Sequence, residues 1–502
     1  MNITGRHKSF GIVALAWLTV VVLVSPWGNF PVNDDWAYAR TVLNFSNGHF
    51  VYSDWQGMPF LTQALWGVLW VKVFGFSFTM LRISMLPVVL VGGWYMHSIL
   101  APRVGNHTAS FACALLLFTP LSFHLTLTYM TDWFALTMAL AASFHLYGYH
   151  RKDNFYNGFI GTIFVLVGCL CRQTVLIIPA AMLMMSVTEA PKKVFSRCNL
   201  FLWIALLLPL IVLYIHDSIM SLPVNYGIQF AAIKASLEKP DIMLLRSMAF
   251  YMMNTLSIVG VSLLPLTLLI PWKNHTRVLR WSLGLGVVFI LRCFTSGIYW
   301  PFTGDIWHPR GIGPWLIDGG NSNFFVSEPW FGILIGLIGT TSFSILVARR
   351  LKLLWILVAI LFIFPLSFLY LSDRYTLPMI AFLIISVMWR SAVRIKWAIP
   401  AIIATAIFSM LSQRAYFGMR DVQLELTHAV VGSVDAGFEW NGWHRFSTED
   451  YQPEAPESSW NEDCDWRISL HCRVPDMLVR DSLYFCELFS SDTIWIYMHE
   501  KE

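Results

Sequence analysis

The sequence predicts an α-helical polytopic membrane protein with about 13 transmembrane helices and a small α+β or β-rich extracytoplasmic domain at the C-terminus. Of the 502 residues, 56% are hydrophobic and only 13% are charged, whereas a soluble protein carries about 25% charged residues. The basic residues lie in short loops between apolar runs and form no single patch. This distribution argues against a nucleic-acid partner.

Apolar runs of near-bilayer length recur along the chain after a short basic start. The first, from Gly11 to Ser25, resembles a signal peptide in length. No small-residue cleavage site follows it, so we interpret it as a retained first helix. The other predicted spans cover residues 79–100, 109–125, 131–149, 157–171, 173–187, 199–215, 250–270, 281–293, 329–347, 352–371, 375–389 and 396–411.

The positive-inside rule orients these spans with the N-terminus in the cytoplasm. The pair Asp34 and Asp35, the loops near 216–249 and 294–328, and the tail then lie outside. The apolar stretch Pro59–Gly75 would invert every later loop if it crossed the bilayer. We therefore expect it to lie in the interface as a short helix, like the stretch from Asp34 to about Phe45.

Two domains are predicted from the change in composition near Ser412. Residues 1–411 form the membrane domain, in which the first outside loop, 26–78, carries the interfacial helices. Residues 412–502 are acidic and polar and end in strand-like runs, which predicts an extracytoplasmic domain. The tail holds Cys464, Cys472 and Cys486, so one disulfide is compatible with an oxidising side, but the spacing selects no pair.

The first candidate site residues are Asp34 and Asp35, which directly follow the first span. Asn33 is a good N-cap, so both carboxylates are expected in the first turn of a helix, where the helix dipole favours their charged form. An ionised carboxylate there suits a general base that deprotonates an acceptor hydroxyl, or a ligand of a divalent cation. Helix capping alone is the competing interpretation.

Three further candidates stand at the outside ends of predicted spans. Asp132 is either a helix-start acid or a second carboxylate facing Asp34. Arg172 lies between two apolar runs, where a charge must be paired or hydrated. It pairs with an acid or binds a phosphate. Arg374, followed by Tyr375, is the second phosphate-binding candidate; a local ion pair with Asp373 is its alternative.

The glycine-rich outside loop 304–313 is a candidate lid that offers His308 and Arg310 to a substrate. The sequence has no GK[ST] phosphate loop and no HExxH motif, and its inside loops are too short for a nucleotide-binding domain. A nucleotide sugar is therefore a poor donor. A sugar carried on a polyprenyl phosphate in the bilayer fits the expected geometry.

The order of these motifs resembles the GT-C superfamily of membrane glycosyltransferases, in the branch of protein mannosyltransferases and lipid A aminoarabinose transferases. The matching runs are Asp34-Asp35-Trp36-Ala37-Tyr38-Ala39, Gly57-Met58-Pro59-Phe60-Leu61, Asp132, and Arg374-Tyr375. Two positions depart from that branch. Asp35 stands where relatives often have Glu, and Met58 stands where the aminoarabinose branch has a donor-binding Lys, which leaves the phosphate to Arg172, Arg310 or Arg374.

The resemblance implies an inverting glycosyltransferase of the bacterial inner membrane, with its site facing the periplasm or outside. A sugar would pass from a polyprenyl-phosphate donor to a hydroxyl of a lipid, polysaccharide or protein acceptor. Asp34 would act as base, and Asp35 and Asp132 would orient the site or hold a cation. Two alternatives remain at this stage: a flippase of a lipid-linked sugar, and an envelope polysaccharide polymerase or ligase.

Overall fold

The fold is mostly helical, as the sequence predicts. It is given by a computed structural model. The described residues are 3–189, 191, 194–238, 242–269, 275–299, 301–302, 306–308, 311–312, 329–347, 358, 372–389, 395–430, 466–469, 477–487 and 490–499.

The helices are numbered here in chain order. The first nine are α1 Ile3–Val24, α2 Asp35–Ser46, α3 Leu61–Phe74, α4 Phe78–Val104, α5 Asn106–Phe118, α6 Pro120–Thr126, α7 Thr131–Lys152, α8 Phe155–Cys169 and α9 Ile177–Glu189. The later ones are α10 Leu200–Ile219, α11 Val224–Glu238, α12 Ile242–Ser262, α13 Leu264–Leu269, α14 His275–Ser296, α15 Pro329–Val347, α16 Leu377–Met388 and α17 Ile395–Val430. Short 3₁₀ turns lie at Gln173–Leu176, Arg197–Asn199 and Asp373–Thr376.

Within the described ranges, four helices are long and apolar enough to cross a membrane, and a fifth span results if the bent pair α5 and α6 counts as one. The four are Phe78–Val104, Leu200–Ile219, Thr276–Ser296 and Pro329–Leu346. Other predicted spans form shorter apolar helices, such as Phe155–Cys169, and the span expected at 352–371 lies largely outside the described residues. The total of about 13 spans stays a prediction.

The first outside loop contains two helices, α2 and α3, where the sequence predicts interfacial helices. With 14 residues, α3 is shorter than the roughly 20 that a crossing needs. The expected cap at Asn33 is wrong: Asn33 has a φ of +55°, and the helix begins at Asp35. Only Asp35 therefore lies in the first turn, and Asp34 precedes the helix.

Two buried arginines hold the segment that leads into this loop. Arg82 on α4 donates to the carbonyls of Pro26 (2.5 Å) and Phe30 (2.7 Å), and Arg420 on α17 donates to that of Pro31 (2.9 Å). Both guanidinium groups also lie over the Phe30 ring, at 5.3 and 5.4 Å from its centroid. These contacts fix the backbone immediately before Asp34 from two different helices.

Strands occur in two places among the described residues. Trp307–His308 (β1) and Gly311–Ile312 (β2) form a small antiparallel hairpin in the predicted lid loop. In the tail, Trp466–Ser469 (β3), Met477–Glu487 (β4) and Ser490–His499 (β5) form an antiparallel sheet with β5 in the centre. The helix α17 runs without interruption through Ser412, the predicted boundary, so the division at 412 remains a prediction.

Small residues bring α12 and α15 into backbone contact. A Cβ atom at Gly260 would lie 1.8 Å from the carbonyl oxygen of Gly339, and one at Gly339 would lie 2.5 Å from that of Ser257. Ser342 on α15 donates to the carbonyl oxygen of Gly260 at 2.6 Å. Glycine is required at these positions because the opposing atoms belong to a backbone that cannot rotate away.

We expect Gly260→Ala to destabilise the protein by about 1–3 kcal/mol, because the added methyl group forces α12 and α15 apart. Gly284→Ala on α14 is the control, since a Cβ there meets nothing within 4 Å. The thermal unfolding midpoint in detergent measures both. Equal midpoints for the two variants would contradict the close packing.

Candidate functional site

Asp34 forms an ion pair with an arginine that is distant in sequence. Its Oδ2 atom lies 2.9 Å from Nη2 of Arg374, and its Oδ1 atom accepts a hydrogen bond from Nε1 of Trp55 at 2.9 Å. The Asp34 side chain retains 18% exposure, whereas that of Arg374 retains 9%. A carboxylate so placed is held on both oxygens yet still reaches solvent.

A second ion pair joins Asp132 and Arg172. Asp132 lies in the first turn of α7, and its Oδ1 atom is 2.5 Å from Nη1 of Arg172, which follows α8. Burial acts to lower the pKa of Arg172, but the charge and hydrogen bond of Asp132 together with Tyr375 outweigh it, so the pKa is raised above its ordinary value. Oδ2 of Asp132 is buried and accepts no hydrogen bond from the described part of the chain.

The ring of Tyr375 joins the two ion pairs. The guanidinium carbon of Arg172 lies 4.7 Å from the ring centroid, and that of Arg374 lies 5.2 Å from it. Each arginine is thus paired with its own carboxylate, and both contact the ring of Tyr375. The structure therefore brings together five residues that the sequence singles out: Asp34, Asp132, Arg172, Arg374 and Tyr375.

Contacts between the start of α3 and the end of α8 explain the position of Arg172. The N–H of Phe60 donates to the carbonyl of Cys171 at 3.2 Å, and the hydroxyl of Thr62 donates to that of Val167 at 2.8 Å, so the start of α3 lies against the end of α8. Phe60 adopts a left-handed φ of +57° at this contact. Arg172 follows directly, and its guanidinium lies next to the first outside loop.

Asp373 supports the turn that carries Arg374. Its buried Oδ2 atom accepts the backbone N–H groups of Ile306 (3.1 Å) and Trp307 (2.7 Å), which ties the β1–β2 hairpin to the site. The hydroxyl of Thr376 donates to the carbonyl of Asp373 at 2.7 Å. Arg374 itself forms an ion pair across the fold with Asp34, and its role as a phosphate ligand stays a prediction.

Asp35 points away from this cluster. It is 2% exposed, and its Oδ1 atom accepts the backbone N–H of Tyr129 at 3.0 Å. Burial raises the pKa of Asp35 to about 7, against the lowering effects of the Tyr129 hydrogen bond and the charge of Arg82. Its position fits a residue that connects α2 to the backbone before α7.

A divalent cation, the alternative role considered for the acidic residues, finds no ready donor set among the described residues. The described residues contain no group of three or more His, Cys, Asp or Glu side chains that could hold a metal ion. Both oxygens of Asp34 are hydrogen-bonded to protein groups, and Asp35 accepts from Tyr129. Asp34 and Asp35 as arranged therefore do not fit a cation site.

Met58 occupies the position at which the aminoarabinose transferase branch has a lysine. Two hydroxyl groups lie close to its sulfur atom. The hydroxyl of Thr131 lies 3.0 Å from its sulfur, and that of Tyr38 lies 3.8 Å away. The Tyr38 ring packs on Phe60 with centroids 4.8 Å apart. Burial raises the pKa of Tyr38 well above its ordinary range, so this phenol stays protonated as a donor.

Several site features were not predicted from the sequence, and two predicted ones stay untested. Trp55 was missed because nothing in its own segment marks a long-range hydrogen bond to Asp34. The contact of Arg374 Nη1 with the sulfur of Met130, at 3.7 Å, was also missed. His308 lies in strand β1, and Arg310 lies outside the described residues.

Comparisons with known proteins give little beyond a weak structural likeness. No family profile matches the chain, and no curated protein sequence matches it. Among solved structures, it is similar to the crystal structure of ArnT from Cupriavidus metallidurans bound to undecaprenyl phosphate, with 10% identity over 86% of this chain and 82% of that one. The TM-score is 0.39. The proposal below therefore rests on the contacts of the site.

The raised pKa of Asp35 predicts a pH dependence of stability. Because the folded protein holds this proton more tightly than the unfolded chain, whose pKa is near 3.8, stability falls as pH rises from about 4 to about 7. Asp35→Asn mimics the protonated acid and keeps an acceptor for Tyr129. Between pH 5 and pH 8, we expect the unfolding midpoint of the variant to fall by a few degrees less than that of the wild-type protein. An identical fall in both proteins would contradict this.

Proposed function

We propose that the protein is a membrane glycosyltransferase that moves a sugar from a polyprenyl-phosphate donor to an acceptor hydroxyl, with inversion. The observation that carries this proposal is the pairing of Asp34 and Asp132 with two arginines that flank one tyrosine ring. The cluster offers a partly exposed carboxylate as base and two adjacent guanidinium groups as anion ligands. A glycosyl phosphate that reacts with an alcohol needs both.

The guanidinium groups of Arg172 and Arg374 suit the donor phosphate. Each presents several N–H donors in a planar fork, more than a single carboxylate oxygen accepts from. Both guanidinium carbons lie within 5.2 Å of the Tyr375 ring centroid, and we propose that both groups contact the donor phosphate. Their charge would stabilise the phosphate that leaves, whose negative charge grows in the transition state.

Asp34 is the proposed general base. The acceptor oxygen attacks the anomeric carbon, the bond from that carbon to the phosphate oxygen breaks, and its electron pair leaves with the polyprenyl phosphate. The hydroxyl proton passes to a lone pair of Asp34, whose oxygens each retain one beyond the bonds to Arg374 and Trp55. Since Arg374 contacts Asp34, a phosphate bound to Arg374 lies beside the base.

Asp132 and Asp35 have orienting roles in this proposal. Asp132 holds Arg172 at the site, and the buried charge of each would be costly without the other. Asp35, the residue after the proposed base, fixes the start of α2 against the backbone of Tyr129. Neither needs to contact the reacting atoms.

A lipid-linked donor agrees with the surroundings of the site. The four membrane-length helices of the described chain place it in a protein built for a bilayer, and the sequence offers no phosphate loop for a nucleotide. We propose that the site faces the extracytoplasmic side, as the distribution of basic loops indicates. The acceptor is a hydroxyl of a lipid, a polysaccharide or a protein.

Asp34→Asn should abolish sugar transfer while the protein still inserts and folds, because the amide keeps the shape of the side chain but cannot take the proton. Asp153→Asn is the matched control, an exposed acid directly after α7 and outside the site. Transfer is measured with purified protein, a polyprenyl-phosphate sugar and membrane extract as the acceptor source. Full activity of the Asp34→Asn variant would refute the assignment.

The same assay separates the enzyme from the flippase alternative. A flippase moves the lipid-linked sugar across vesicle membranes and leaves its glycosidic bond intact. If the wild-type protein releases no polyprenyl phosphate but moves the intact lipid, the glycosyltransferase proposal is wrong.

Arg374→Gln should weaken the binding of undecaprenyl phosphate roughly 10- to 100-fold, because a charged hydrogen-bond donor to the phosphate is lost. The control is Arg246→Ala, an exposed arginine whose guanidinium contacts the carbonyl of Thr295. Isothermal titration in detergent measures both affinities. Unchanged binding by the Arg374→Gln variant would remove Arg374 from the phosphate site.

A further inference from the structure

A loop in the first outside segment touches the proposed base. This segment, Tyr52–Gln56, is called the Trp55 loop below. Its central contact is the hydrogen bond from Nε1 of Trp55 to Oδ1 of Asp34, at 2.9 Å. The indole is half-buried, and its ring lies 6.0 Å from that of Trp36, which follows the acidic pair.

The Trp55 loop is attached on one side to α2, the helix that follows Asp34. The backbone N–H of Ser53 donates to the hydroxyl of Thr41 at 3.0 Å, and the side-chain amide of Gln56 donates to the same hydroxyl at 2.7 Å. Ser53, Gln56 and Thr41 are all buried. The two ends of the loop are thus fixed to one side chain of α2.

On its other side the loop is held by Asn225, the second residue of α11. The backbone N–H of Asn225 donates to the carbonyl of Asp54 at 2.9 Å, and its side-chain amide donates to that of Trp55 at 2.8 Å. One residue therefore satisfies two consecutive carbonyl groups of the loop. The indole of Trp55 is oriented by the backbone that these bonds hold.

A chain of side-chain hydrogen bonds anchors Asn225 in turn. The hydroxyl of Tyr52 lies 2.8 Å from Nε2 of His216, and Nδ1 of His216 lies 2.8 Å from Oδ1 of Asp217. The hydroxyl of Tyr226, next to Asn225, donates to Asp217 at 3.3 Å and accepts from Gln173 at 2.8 Å. Since Gln173 follows Arg172, this network connects the Trp55 loop to the second ion pair of the site.

We propose that Trp55 is a positioning residue that fixes the carboxylate of Asp34, and that Asn225 acts through it by holding the Trp55 loop. A carboxylate held only by Arg374 on Oδ2 could rotate about its bond to Cβ, whereas a second donor on Oδ1 sets its plane. The inference rests on the proposed function, in which the free lone pair of Asp34 must face the acceptor hydroxyl.

The first test replaces Trp55 with Phe, which keeps an aromatic ring beside Trp36 and removes the N–H donor. We expect kcat to fall roughly 10- to 100-fold, the range for a hydrogen bond to a charged group. KM for the polyprenyl-phosphate sugar should stay unchanged, because the arginines hold the phosphate. If kcat is unaffected while Asp34→Asn abolishes transfer, the inference is wrong and the proposed function stands.

The second test is a double-mutant cycle with Asn225→Ala. If Asn225 acts through Trp55, it lowers kcat in the wild-type background and has no further effect in the Trp55→Phe background. If the reductions in kcat of the two single variants multiply in the double variant, the two residues act independently and the coupling is overturned. The matched control is Asn157→Ala, a half-buried asparagine in the first turn of α8 that contacts His145 instead, and it should leave kcat unchanged.

A third measurement is independent of turnover. Hydrogen exchange of a peptide covering residues 51–57 should be faster in Asn225→Ala than in the wild type, because the carbonyl of Trp55 loses its bond to the Asn225 side-chain amide, although the backbone bond to Asp54 remains. Unchanged exchange would overturn the role of Asn225 whether or not transfer is observed. The proposed function is refuted separately, if the wild-type protein transfers no sugar. The exchange result has no bearing on that outcome.

Discussion

The ion pair between Asp34 and Arg374 is the contact on which the rest of the site depends. It joins the start of the first outside loop to the turn before α16, two segments about 340 residues apart in the chain. Other elements of the site lie next to one of these two residues. Trp55 and the Trp55 loop contact Asp34, and Tyr375 and Asp373 are the chain neighbours of Arg374. The second pair, Asp132 with Arg172, then attaches to the first through the Tyr375 ring. In the proposed mechanism, an arginine that pairs with the proposed base and shares a tyrosine ring with a second arginine would place the donor phosphate next to that base.

Much of this cluster could be predicted because charge in an apolar sequence is informative. Asp34, Asp132, Arg172 and Arg374 each stand at the end of an apolar run, and an isolated charge at such a position needs a partner. Opposite charges placed on the same side by the positive-inside rule are natural partners for one another. The sequence did not determine which acid meets which arginine, since Arg374 has an acid next to it in Asp373. The fold decides this, because Asp373 is occupied by the backbone of the β1–β2 hairpin.

Other features were beyond sequence reasoning for identifiable physical reasons. Asn33 has the composition of a helix cap, but its left-handed backbone puts Asp34 outside the helix, and this difference lets the two neighbouring acids point to different partners. The role of Trp55 depends on a contact with Asp34 and on a clamp from Asn225, 170 residues later. Neither leaves a local pattern. Hydropathy alone does not distinguish a crossing from an interface element for the shorter apolar helices, such as Leu61–Phe74 and Phe155–Cys169, since their length suits either role.

The unbroken helix α17 has a mechanical consequence. Its Arg420 bonds to the carbonyl of Pro31, three residues before Asp34, and the same helix extends ten residues further toward the tail. Residues 420–430 are continuous helix, so a displacement of the end of the helix is transmitted to the backbone before Asp34. The end of the long helix and the Asp34 segment are thereby mechanically coupled through a single arginine.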